Sequence, residues 1–77
     1  MRIRVELAAS HGVDDAPRRF FLGERAVEVG RVLDRWLSLD HSYFKVAGTD
    51  GATYILRHGA KSGEWTLVLF ERAPPPS

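Results

Sequence analysis

The chain predicts an all-β fold, either a small antiparallel sheet of five to six bent strands or an SH3-like barrel, and three observations carry that prediction. The stretch Tyr43 to His58 holds Asp50-Gly51 between two runs rich in aromatic and branched side chains, a strong short-range hairpin pattern. Arg2-Ile3-Arg4-Val5-Glu6-Leu7 alternates charged and apolar residues, as a strand with one face on a core and the other in water does. Turn-forming residues recur so closely that no crossover helix fits between neighbouring strands, so pairing should be antiparallel.

Taken in order, residues 2–8 form the first expected strand, with Ile3, Val5 and Leu7 on the core side. Residues 9–17 contain turn formers and no periodicity, which predicts a loop and the most mobile internal segment. From Arg18 the run Arg-Arg-Phe-Phe-Leu leads through Gly23-Glu24 to Ala26-Val27-Glu28-Val29, a second and shorter hairpin. Residues 27–39 admit two readings. On a helix, Val29, Val32, Leu33, Trp36 and Leu37 fall on one stripe, opposite Glu28, Arg31, Asp34 and Arg35. Against the helix stand the missing N-cap, Gly30 inside it and the β-branched valines. The favoured reading is a strand bent near Gly30, where a bulge would serve barrel closure, with the helix kept as the rival.

Ser38 to Ser42 is a turn into the central hairpin. There the side chains choose the register, because a one-residue slip moves every residue to the opposite face. A two-residue turn at Asp50-Gly51 sets Phe44 opposite Arg57 and mixes the faces. A three-residue loop, Thr49-Asp50-Gly51 with Gly51 left-handed, instead pairs Val46 with Tyr54 and Phe44 with Leu56, and on the other face Lys45 with Ile55 and Tyr43 with Arg57. The second register makes one face wholly apolar. It predicts Phe44, Val46, Tyr54 and Leu56 in the core and Tyr43, Lys45 and Arg57 at least partly wet. After a loop over residues 59–63, Glu64 to Glu71 is the last strand. Simple alternation puts Trp65, Leu67 and Leu69 on one face and Val68 and Phe70 on the other. A strand apolar on both sides needs two covers, so Val68 and Phe70 are a candidate interaction face unless strand one covers them. Residues 1–72 are thus expected to be one β domain and residues 73–77, Ala-Pro-Pro-Pro-Ser, a disordered or extended tail.

With 77 residues, the chain is close to the lower limit for an unaided core, which makes self-association unsurprising. Without cysteine there is neither disulfide nor thiolate metal site, as suits a reducing compartment. Neither a signal peptide nor a membrane span is legible, so the expected location is cytoplasmic. Eleven basic and ten acidic residues leave a net charge of +1, too balanced for the field of a sequence-independent nucleic-acid binder. Nine of the eleven are arginine, which fits phosphate or carboxylate recognition but is favoured here as a reflection of codon usage.

Taken together, Arg19-Phe20-Phe21-Leu22, Val32-Leu33-Asp34-Arg35-Trp36, Tyr43-Phe44-Lys45-Val46, Asp50-Gly51, Tyr54-Ile55-Leu56-Arg57-His58 and Trp65-Thr66-Leu67 resemble a family of small uncharacterised bacterial domains. The resemblance spans about residues 18 to 70. It implies the β-hairpin reading and a bacterial cytoplasmic setting, and carries over no catalytic or binding residue.

Catalytic constellations are not found. His11, His41 and His58 show no ligand spacing, although His58 opposite Ser42 would bring His41 and His58 across neighbouring strands, a pair read as surface histidines. Serines 10, 38, 42 and 62 lie in loops without a nucleophile elbow. Asp14-Asp15 and Asp34 with Asp40 have nothing to drive their pKa values apart, and Gly48 to Gly51 is turn chemistry with no helix behind it. No catalytic residue, metal ligand or cofactor is therefore expected. Two binding clusters remain. Asp34-Arg35-Trp36 would put Asp34 and Trp36 on one face and Arg35 on the other, with Trp36 either the anchor of a recognition surface or, as favoured, a core residue. Tyr43, Lys45 and Arg57 would share an outer hairpin face that stacks on single-stranded nucleic acid or is simply solvated, and His58, next in sequence, is a further binding candidate. The leading expectation is a non-enzymatic module for an unknown protein partner or self-association, with no membrane contact. Nucleic acid is the alternative, and a metal protein or enzyme using His41, His58 and Asp34 the weakest.

Overall fold

A computed structural model describes residues 1–7 and 16–72 of the chain. The six strands are β1 (Arg2–Leu7), β2 (Pro17–Leu22), β3 (Arg25–Leu37), β4 (His41–Gly48), β5 (Thr53–Gly59) and β6 (Trp65–Glu71), with no helix among the described residues. Each pairs antiparallel with the next, and β1 meets β6 to close a barrel. The closed barrel is thus realised rather than the open bent sheet. Expectations about Ser10, His11, Asp14, Asp15 and the Pro-rich tail lie outside the described residues.

The central hairpin has the register that places its apolar residues on one side. Phe44 faces Leu56, Val46 faces Tyr54, Lys45 faces Ile55 and Tyr43 faces Arg57. Gly51 sits at φ 88°, and the Gly48 N–H donates to the Ala52 carbonyl at 2.9 Å, enclosing Thr49-Asp50-Gly51 as the loop. Phe44, Val46, Tyr54 and Leu56 are all buried, joined by Phe20 and Val27 of the second hairpin, Ile3, Ala52 and Trp65. The Phe20 ring meets Tyr54 edge-on, 4.8 Å between centroids at 75°, the favourable arrangement for two aromatic quadrupoles.

Residues 25–37 form one continuous bent strand, so the helical reading fails. Its first part, Arg25 to Glu28, pairs with β2 and its remainder, from Val29, with β4. The register slips between Val29 and Arg31 and again between Val32 and Asp34, the bends that let one strand serve two sides of a small barrel.

Three expectations need correction. Pro17, expected in the 9–17 loop, is the first residue of β2. Leu7 does not reach the core but is 40% exposed, because the β1–β2 register breaks between Glu6 and Leu7. In β6 simple alternation fails. Leu67 is opposite Leu56 and Leu69 opposite Ile55, so Val68 is an extra residue in a bulge and everything after it changes face. No helix among the described residues is long and apolar enough to cross a membrane.

Candidate functional site

The register carries a defined set of side chains to the outside of the β3–β6 half of the barrel. Two cross-strand rows run there, Trp36, Tyr43, Arg57 and Thr66 in one, and Asp34, Lys45, Ile55 and Leu69 in the next. Trp36 is 38% exposed and so is not the core residue it was expected to be. The bend in β3 turns it outward, onto the face opposite Phe44. There its ring lies flat on Tyr43, centroids 5.3 Å apart at an interplanar angle of 3°. Side chains directly opposite on neighbouring strands are close enough to stack in this way, which fixes both rings without burying them. Leu69 is half exposed and Ile55 partly covered, so the rows mix two aromatic rings, two aliphatic chains and the cations Lys45 and Arg57. Neither cation is engaged by a carboxylate among the described residues.

The cluster Asp34-Arg35-Trp36 divides as alternation requires. Asp34 and Trp36 are outside, and Asp34 accepts a 2.7 Å hydrogen bond from the Arg35 backbone N–H. Arg35 is on the other side, its guanidinium 5.3 Å from the centre of the Phe44 ring, where a cation meets the negative face of an aromatic. Asp34, Trp36, Tyr43, Lys45 and Arg57 are therefore brought together, while Arg35 and His58 are not. His58 stacks on Trp65 at 4.5 Å, opposite Ser42, whereas the nearest ring to His41 is Tyr43 at 6.3 Å. The two histidines are thus spent on different aromatic partners. Val68 stands in the bulge and Phe70 opposite Tyr54, 5.1 Å between ring centroids, and both remain exposed, at 48% and 43%.

A polar network absent from the sequence reading sits under the central loop. Tyr54 is buried, yet its hydroxyl donates to Asp50 at 2.6 Å. Arg25 donates to the same carboxylate oxygen at 3.0 Å, and the Ala52 N–H to the other oxygen at 3.0 Å. The Tyr54 bond, with Ala52 and Arg25 behind it, holds the Asp50 carboxyl below the usual carboxylate range. Burial, then the neighbouring carboxylate, pushes the Tyr54 phenol up to about 12. The network fastens a loop to the core, beside a small open pocket of about 220 Å3 lined by Arg25, Asp50, Ala52, Phe70 and Arg72. Among the described residues there is no group of three His, Cys, Asp or Glu side chains that could hold a metal ion. No family model, curated protein or solved structure matches the chain.

Proposed function

We propose that the protein is a non-enzymatic interaction module that binds a protein partner through the outer face of β3–β6. The observation that carries this reading is the flat Trp36–Tyr43 stack, exposed beside Leu69 and Ile55 and rimmed by Lys45 and Arg57. Aromatic side chains and arginine dominate the energy of protein interfaces, and a pre-stacked pair loses little conformational freedom on binding. The near-neutral net charge agrees with a partner held by apolar contact with a polar rim.

The test compares what immobilised protein and its W36A and Y43A variants retain from a cell extract. A genuine partner is held by the parent protein and weakened by about thirtyfold or more when Trp36 is truncated, the size of a hot-spot loss of about 2 kcal/mol. Equal retention by parent and variants would sink the proposal. Sizing over a range of concentrations shows whether the partner is a second copy.

The same geometry favours one second reading, single-stranded nucleic acid, since exposed ring faces flanked by Lys45 and Arg57 suit base stacking with phosphate neutralisation. A gel shift with single-stranded DNA and RNA that weakens as salt rises would support it.

A further inference from the structure

A second feature, sharing no residue with the outer face of β3–β6, lies across β1. The strand changes neighbours along its length, pairing through Arg2 and Ile3 with β6 and through Arg4 onward with β2. Over that handover is an open cleft of about 790 Å3, lined by Arg2, Ile3, Arg4, Val5, Phe21 and Trp65 and flanked by the Gly23 and Gly63–Glu64 turns. Its size falls in the range of small-molecule sites, roughly 300–1,000 Å3.

The two arginines in it are not equivalent. Arg2 is already paired with Glu64, 3.1 Å away. Arg4 has no carboxylate partner among the described residues; its guanidinium carbon is instead 4.4 Å from the centre of the Phe21 ring, the residue directly opposite on β2. An arginine laid on an aromatic face keeps its planar fork of donors available at the edge while its orientation is held. Beneath the cleft Ile3 and Trp65 belong to the core, 8% and 9% exposed, so the apolar surface the cleft offers is that of the half-buried Phe21 and Val5. The flanking turns offer no obstruction, because Gly23 and Gly63 carry no side chain and have open space beyond their Cα atoms. Glu64 is the one anionic group in the lining, and its bond to Arg2 is exposed at both ends, so it yields at little cost.

We infer that this cleft binds a small ligand in which an oxyanion, carboxylate or phosphate, is carried on a flat apolar body. The fork of Arg4 takes the oxyanion, and the body lies against Phe21 and Val5. Arg2 assists by exchanging Glu64 for the ligand.

The variant W36F leaves Trp65, beneath the cleft, as the only tryptophan, so its emission reports occupancy of the cleft. Titration with phenyl phosphate and with benzoate is expected to give a saturable change with millimolar or tighter affinity. Inorganic phosphate tests the anion alone and benzyl alcohol the apolar body alone; each is expected to bind more weakly than the combined probes, and the stronger of phenyl phosphate and benzoate identifies the oxyanion. Arg4→Gln should weaken binding by about tenfold or more, with an unchanged melting temperature showing that the barrel is intact. Arg4→Lys, which keeps the charge and loses the fork, should fall between them. Amide shifts on binding should centre on Gly23, Gly63 and Glu64. The inference is overturned if neither combined probe saturates, if Arg4→Gln in a folded protein binds as the parent does, or if the shifts centre on Lys45 and Arg57.

Discussion

Tyr54 carries the least expected chemistry of the core, a hydroxyl kept from water by everything around its ring and satisfied by one carboxylate, 2.6 Å away. Its folded-state pKa lies above the unfolded one, so the neutral phenol stabilises the barrel fully below pH 10, and that contribution disappears as pH rises through about 12. Asp50 has the opposite sign. Its folded pKa is lowered, so its contribution is present above the ordinary carboxylate range and is lost as pH falls through the folded value. Tyr54→Phe is expected to cost about 1–2 kcal/mol at neutral pH and to flatten the alkaline limb of stability against pH, both readable from urea unfolding across the pH range. An alkaline limb as steep as the parent's would contradict it. The burial of Tyr54 was legible in the sequence, because the hairpin register fixes which face it takes. Its partner was not, since Asp50 reads equally well as an ordinary turn former and only the folded loop turns its carboxylate back under the hairpin. Trp36 shows the reverse case. A large aromatic in a small domain is expected inside, yet the β3–β4 register sets it outside, where another ring holds it in place.

Among the elements, β3 and β6 show where counting by twos succeeds and where it fails. Gly30 signals the bend in β3 because its residue type is unusual in a strand, and a register slip does occur there. Val68 signals nothing. A bulge built on a branched residue looks like continued alternation, and the faces assigned to Leu69 and Phe70 were inverted as a result. Two of the strand glycines, Gly48 and Gly30, are predicted to behave differently. A Cβ at Gly48 would meet Asp50 Oδ1 at 2.6 Å, Tyr54 Cε1 at 3.0 Å and Val27 Cγ1 at 3.1 Å, so Gly48→Ala collides with the loop network and the core together. It should destabilise by about 1–3 kcal/mol. At Gly30 the nearest atoms, the Ala47 carbonyl oxygen and Thr49 Cγ2, are at ordinary contact distance, 3.5 and 3.6 Å. Gly30→Ala should therefore be neutral or stabilising by up to about 1 kcal/mol, through the smaller freedom of the unfolded chain. Thermal unfolding of both variants checks the pair, and the account fails if Gly30→Ala is the more damaging.

For the molecule as a whole, closure rests on a short seam. β1 and β6 pair only at Arg2 with Thr66 and Ile3 with Trp65, extended by the Leu67 N–H donating to the Met1 carbonyl at 2.7 Å, whereas β4 and β5 are joined from His41 to Ala47. Opening this seam should be the lowest-energy excursion of the barrel. The amides of β1 and Leu67 are expected to exchange hydrogen about tenfold or more faster than those shared by β4 and β5, and uniform protection would exclude such local opening. The path of β3 has a different consequence. Among the described residues, that strand past Glu28 pairs on one side only, and an unpaired strand edge is what fibril-forming proteins exploit. The two kinks that wrap the strand around the barrel also spoil its straightness, and Arg31, Asp34 and Arg35 along it would bring charge into any stranger's ladder. The bends that close the molecule upon itself thereby also guard it against endless end-to-end polymerisation.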